Sequence, residues 1–193
     1  MLKYVWVLFF SFGILAGCKK KKKAPEKNYT STISLIKEQV AHVDTSLYPI
    51  MRIEFIDSLK RDTIFIPREE FGAAAKDFLD IPDLADEKVA QRFKQETLYD
   101  ATINRVVITY TPEDPAAEEI QKQELLITPG ASVEDKVNTI IISRSVNNRD
   151  SSVQKNMLWQ MDRYFQVTTI RQLPGQPETT TTIRVTWNED KYQ

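Results

Sequence analysis

From about Asn104 onward the chain alternates apolar and polar residues with a period of two, and no other feature constrains the fold as tightly. In the last such run Ile183, Val185 and Trp187 fall on one side, and Thr182, Arg184 and Thr186 on the other. Successive side chains of a strand point to opposite faces, so this rhythm separates a buried face from a wet one. That is the pattern of an antiparallel sheet covered on one side. The expected strands are Arg105–Thr111, Gln123–Thr128, Asn138–Ser145, Met157–Arg171 and Thr179–Trp187. The gaps between them hold turn chemistry: Pro112-Glu113-Asp114-Pro115, Pro129-Gly130, Asn147-Asn148-Arg149-Asp150 and Pro174-Gly175-Gln176-Pro177.

The first half has a different rhythm. Ile33, Ile36, Val40 and Val43 recur at three- and four-residue spacing, which predicts an amphipathic helix ending near Asp44. Two short apolar runs, Ile50 to Phe55 and Thr63 to Ile66, flank a polar stretch and read as a hairpin. Pro67 opens a second helix with Glu69 and Glu70 in its first turn and Phe71, Ala74, Ala75 and Phe78 on its apolar face. Asp86 to about Tyr99 reads as a third. The expected fold class is therefore α+β: N-terminal helices and a short hairpin, then an antiparallel β meander packed on or curled around the helices. Residues 33–193 have the length of a single domain.

Strict alternation through Met157–Arg171 puts Trp159, Met161, Arg163, Phe165 and Val167 on one face. An arginine among inward aromatics can bind a carboxylate or phosphate head group in a cavity, which makes Trp159, Arg163 and Phe165 a candidate ligand face. The alternatives are a bulge that sends Arg163 to solvent, or a guanidinium stacked on Trp159 or Phe165 for packing. His42 is the only histidine and Cys18 the only cysteine, so no second histidine or free thiol is present to complete a constellation around His42, which reads as an ordinary helix-surface residue. The carboxylates at Glu69-Glu70, Asp83-Asp86-Glu87 and Glu113-Asp114-Glu118-Glu119 lack calcium-loop spacing and read as helix-start charges and solvated loops. Neither a G-x-G phosphate loop nor a G-x-S-x-G elbow is present. The reading leans away from an enzyme, with no cofactor and no metal expected.

The N-terminus is an export signal in form: Lys3, an uncharged apolar stretch from Tyr4 to Leu15, then small residues. Leu15-Ala16-Gly17-Cys18 resembles the lipobox of bacterial lipoproteins at all four positions. The resemblance implies cleavage before Cys18, lipid on its thiol, and residues 1–17 as a signal peptide. The competing reading is an uncleaved membrane helix, but the apolar run falls short of the roughly 20 residues a span needs. Residues 18–32, with Lys19 to Lys23, then form a lysine-rich tether. Acyl chains contribute about 0.8 kcal/mol per buried methylene, against about 1 kcal/mol per lysine near an anionic surface. Lipid is the expected anchor and the lysines a spacer. The residue after the cysteine is Lys19 rather than the aspartate of inner-membrane lipoproteins, which implies the outer membrane, facing the periplasm. The rest of the chain resembles the many Gram-negative envelope lipoproteins to which no mechanism is attached.

Charge narrows the partners. Residues 1–27 hold seven of the 26 basic residues and one of the 27 acidic ones, so the remainder carries 19 against 26 and is seven units negative. Such a body is a poor partner for nucleic acid. The expected function is a non-catalytic binding or scaffolding domain, held on the membrane through lipid on Cys18 and engaging another envelope protein. The alternative is a carrier of lipid or another apolar ligand in a curved-sheet cavity. Its helix-then-meander layout resembles the periplasmic lipoprotein-carrier folds. A hydrolase ranks third.

Overall fold

The computed structural model describes residues 30–56, 60–130 and 136–188. The leader, the lipobox residues Leu15, Ala16 and Gly17, Cys18 and most of the tether lie outside the described residues. The dominant element is one nine-stranded antiparallel sheet. Its strands are β1 (Met51–Phe55), β2 (Arg61–Phe65), β3 (Phe93–Asp100), β4 (Arg105–Pro112), β5 (Ile120–Thr128), β6 (Lys136–Asn148), β7 (Ser151–Gln160), β8 (Tyr164–Gln172) and β9 (Thr179–Thr186). They lie in the order β2-β1-β9-β8-β7-β6-β5-β4-β3. From β3 to β9 this is a meander, and the β1–β2 hairpin joins its far end through β1 and β9.

The expectation of an α+β class is overturned. Of the described residues 49% are strand and 19% helix, so the fold is mainly β. Two misread segments account for much of the difference. Asp86 does cap a helix, its carboxylate accepting from the Lys88 and Val89 amides, but that helix stops after Glu87–Ala90. The residues expected to continue it form β3, paired with β4 along its whole length from Phe93↔Pro112 to Asp100↔Arg105. Glu96 and Leu98 are good helix formers, yet propensities of a few tenths of a kcal/mol yield to a full ladder and the burial of Phe93.

The second misreading is Met157–Arg171, which is two strands. Gln160 pairs with Tyr164 around a turn in which Asp162 has φ +60° and the Arg163 amide donates to the Gln160 carbonyl at 3.2 Å. The burial pattern survives the reversal because partners in this hairpin differ by an even number of residues. Trp159 lies opposite Phe165 and Met157 opposite Val167, all four on the covered face.

That face is covered by α1 (Thr32–Thr45) and three helical turns after Pro67, namely a 3-10 turn (Arg68–Glu70), α2 (Phe71–Ala74) and α3 (Lys76–Leu79). The expected second helix is thus broken at Ala75, yet Phe71, Ala75 and Phe78 are all fully buried. With Trp159, Phe165 and Trp187 they fill the core. Trp159 stacks on Phe165 at 5.0 Å between centroids, while Phe78 meets Trp159 edge-on at 5.1 Å and Phe71 meets Trp187 at 5.0 Å.

Polar contacts pin α1 along its length. The Ser31 hydroxyl accepts from the Ser34 amide and donates to Asp83. Buried Gln123 of β5 donates to the Thr32 hydroxyl at 2.7 Å. The Gln39 amide group accepts from the Asp162 backbone N–H at 2.7 Å and donates to the Asp162 carboxylate at 2.9 Å. At the C-terminus Arg68 donates to the Val43 carbonyl and the Ser46 hydroxyl, satisfying groups a helix end leaves open.

Two stability predictions follow from these contacts. Phe165→Ala should cost about 3–5 kcal/mol in urea denaturation, as expected for a buried aromatic, whereas exposed Gln154→Ala on the other face should stay within about 0.5 kcal/mol. Gln39→Ala removes both bonds to the β7–β8 turn and should cost about 1–3 kcal/mol. Amide exchange at Asp162 and Arg163 should quicken in the same variant; unchanged protection there would show that the clamp does not hold the turn.

Candidate binding surface

The sequence-derived ligand face does not form a surface. Trp159 is 0% exposed and Phe165 1%, and their rings meet each other and Phe71 and Phe78 rather than an opening. Arg163 sits in the β7–β8 turn, partly buried, its carbonyl accepting from the Trp187 amide at 3.1 Å. The structure brings the two rings together in the core and leaves the arginine at the rim.

An arginine among aromatics does exist, at another place. Arg184 on β9 lies over the ring of Tyr164 at 4.7 Å and near that of Phe55 at 5.6 Å, and its Nε and Nη2 donate to the Gln166 side-chain oxygen at 3.1 and 2.9 Å. Arg184 pairs directly with Gln166 and Ile53, so Tyr164 and Phe55 are its diagonal neighbours. Alternation placed Arg184 on the wet face correctly. It carried no signal of which strands flank β9, and so none of these rings.

Charged residues outside the core are mostly engaged. Glu113 pairs with Lys94, Glu118 with Arg92 and Glu119 with Arg144. Asp83 accepts from Ser31 and Asp114 from the Ala116 amide. His42 lines an open cleft of about 690 Å³ between α1 and the ends of β5 and β6, with Leu35, Glu38, Gln39 and Met161. Among the described residues no three His, Cys, Asp or Glu side chains converge as metal ligands would. No helix among them is long and apolar enough to cross a membrane.

The open face of the sheet carries an apolar patch toward β3. Leu98, Val107 and Leu126 lie side by side across β3, β4 and β5. With Ile103 and Ile141 they line an open groove of about 380 Å³. The adjacent row runs Glu96, Thr109 and Glu124, and Asp100 closes the groove near the β3–β4 turn. Leu98 is 68% exposed, and Tyr99 and Ile103 are also exposed. At the opposite edge all five residues of β2 are exposed, including Ile64 and Phe65. The sequence does not show the β3 surface, because Asp86 to about Tyr99 reads as a helix there.

Comparison of the chain with family models, with curated proteins and with solved structures finds no match.

Proposed function

We propose that the chain is an envelope lipoprotein: exported, cleaved before Cys18, acylated there, and held by that lipid on the outer membrane facing the periplasm, with its sheet domain serving as a non-catalytic binding or scaffolding module for another envelope protein. The observation that carries this reading is Leu15-Ala16-Gly17-Cys18 at the end of an uncharged apolar stretch. Lys19 to Lys23 then space the domain from the bilayer, and the acidic body is repelled by anionic lipid. Between scaffold and carrier, the packing favours the scaffold. A carrier would hold its ligand between helices and sheet, where Phe71, Phe78, Trp159, Phe165 and Trp187 already fill the space. The clefts described above are open, and they lie on the sheet surface and beside α1.

Metabolic labelling with a fatty acid tests the anchor. Wild-type chain should take up label, and Cys18→Ala should take up none and retain its leader; label persisting in Cys18→Ala would remove the basis of the assignment. Replacement of Lys19 to Lys23 by Ser should leave the protein in the membrane fraction at high salt, since two or more acyl chains far outweigh five screened charges. Release by salt would reverse that ranking.

A further inference from the structure

Strand β3 ends the sheet, so one side of its backbone has no neighbouring strand among the described residues. Such an edge is a template for an added strand unless it is short, kinked or charged against pairing. Strand β3 runs for eight residues against five for β2. It also presents a consistent pattern on the open face, with Glu96, Leu98 and Asp100 at successive alternate positions. Exposed Leu98 continues into the apolar floor formed by Val107 and Leu126. Among the described residues neither Glu96 nor Asp100 is in an ion pair; Asp100 accepts only from the Thr102 amide. The nearby cations are occupied: Lys94 by Glu113, Lys122 by Glu124, and Arg105 by the Ile103 and Asn104 carbonyls. What the edge leaves unmatched is negative–apolar–negative at strand spacing. The other edge offers no such pattern, since Arg61 and Asp62 fall on opposite faces of β2 and neither face carries two charges.

We propose that β3 and the groove beside it take up an extended segment of a partner protein as an added strand, with basic residues opposite Glu96 and Asp100 and an apolar residue opposite Leu98. This rests on the reading of the domain as a binding module and names the chemistry of its partner. Backbone hydrogen bonds to β3 would supply affinity, and alternate side chains would supply selectivity. Exposed charge pairs contribute about 0.2–1 kcal/mol each, so reversing two of them changes affinity about tenfold.

The test uses the detergent-solubilised full chain and a fluorescein-labelled peptide, Thr-Lys-Thr-Leu-Thr-Lys-Thr, whose pattern reads the same in either direction. Anisotropy should show this peptide binding about tenfold more tightly than its counterpart with Glu in place of Lys. Methylation of alternate backbone amides should abolish binding. Glu96→Lys with Asp100→Lys should invert the preference, and Glu96→Lys alone, which disturbs no turn contact, should shift it part of the way. No binding of the lysine peptide, equal binding of both peptides, or an unchanged preference in the variants would overturn the site. A photo-crosslinking residue in the membrane-bound chain separates this proposal from the broader one. Adducts from Phe65 with none from Leu98 overturn the β3 site and leave the scaffold reading standing, whereas adducts from neither overturn both.

Discussion

A nine-stranded sheet has to cover one broad face with few helical residues, and the stack of Trp159 on Phe165 makes this possible. These two side chains face each other across the β7–β8 hairpin near the middle of the sheet. Each aromatic ring buries 150–250 Å², several times what an alanine could, so a cluster of five rings does the work of a longer helical layer. Phe71 and Phe78 come from short turns with little helical stability of their own. Their positions are set by the rings they meet, as Phe78 meets both Trp159 and Phe165.

A core of that kind is non-directional, and orientation comes from polar contacts around it. Helix α1 buries Ile36 and Val43 and packs Ile33, Leu35 and Val40 against the core, apolar contacts that would tolerate sliding. The Gln123–Thr32 bond at one end, the paired bonds of Gln39 to Asp162 in the middle and Arg68 on the last carbonyls fix it along its length. The Gln39 contact also holds Asp162 in the left-handed conformation, which favours glycine and, to a lesser degree, Asn and Asp. The helix and the turn that reverses β7 into β8 therefore stabilise each other.

The legibility of the fold follows from the same division. Period-two alternation is a local signal, and the strands of the second half were readable wherever one face is buried. The covered-face residues of β7, β8 and β9 were correct even where a reversal was missed, because the turn preserved parity. A fifteen-residue strand over Met157–Arg171 exceeds the usual three to ten. Length was thus the clue that a turn lay within it, although Asp162 takes its positive φ without a glycine to mark it. Edge strand β3 has one buried apolar residue at its start and polar or exposed ones after it, so no alternation distinguished it from a helix. Cross-strand neighbours are settled by topology, which no single-strand pattern encodes. For that reason alternation points to Arg163 as the arginine among aromatics, whereas the cluster lies at Arg184.

The two sheet edges are managed differently, and the difference bears on the proposed role. Strand β2 is short and is followed closely by Pro67, which cannot donate to a ladder. Arg61 and Asp62 fall on opposite faces, so neither face of β2 offers a repeated charge to fix the register of an added strand. Strand β3 is longer and carries charges too, but Lys94 is drawn to Glu113 and leaves Glu96 and Asp100 facing outward on either side of Leu98. Negative charge on an edge repels a second copy of the same edge, since in a two-fold pairing centred on Leu98 each Glu96 would lie opposite Asp100 of the other copy. It attracts a strand of opposite sign. Lipid anchoring would make that distinction matter, because molecules crowded on one membrane meet their own copies far more often than in solution. An edge that rejects itself and accepts a basic segment stays available to a different partner at high surface density.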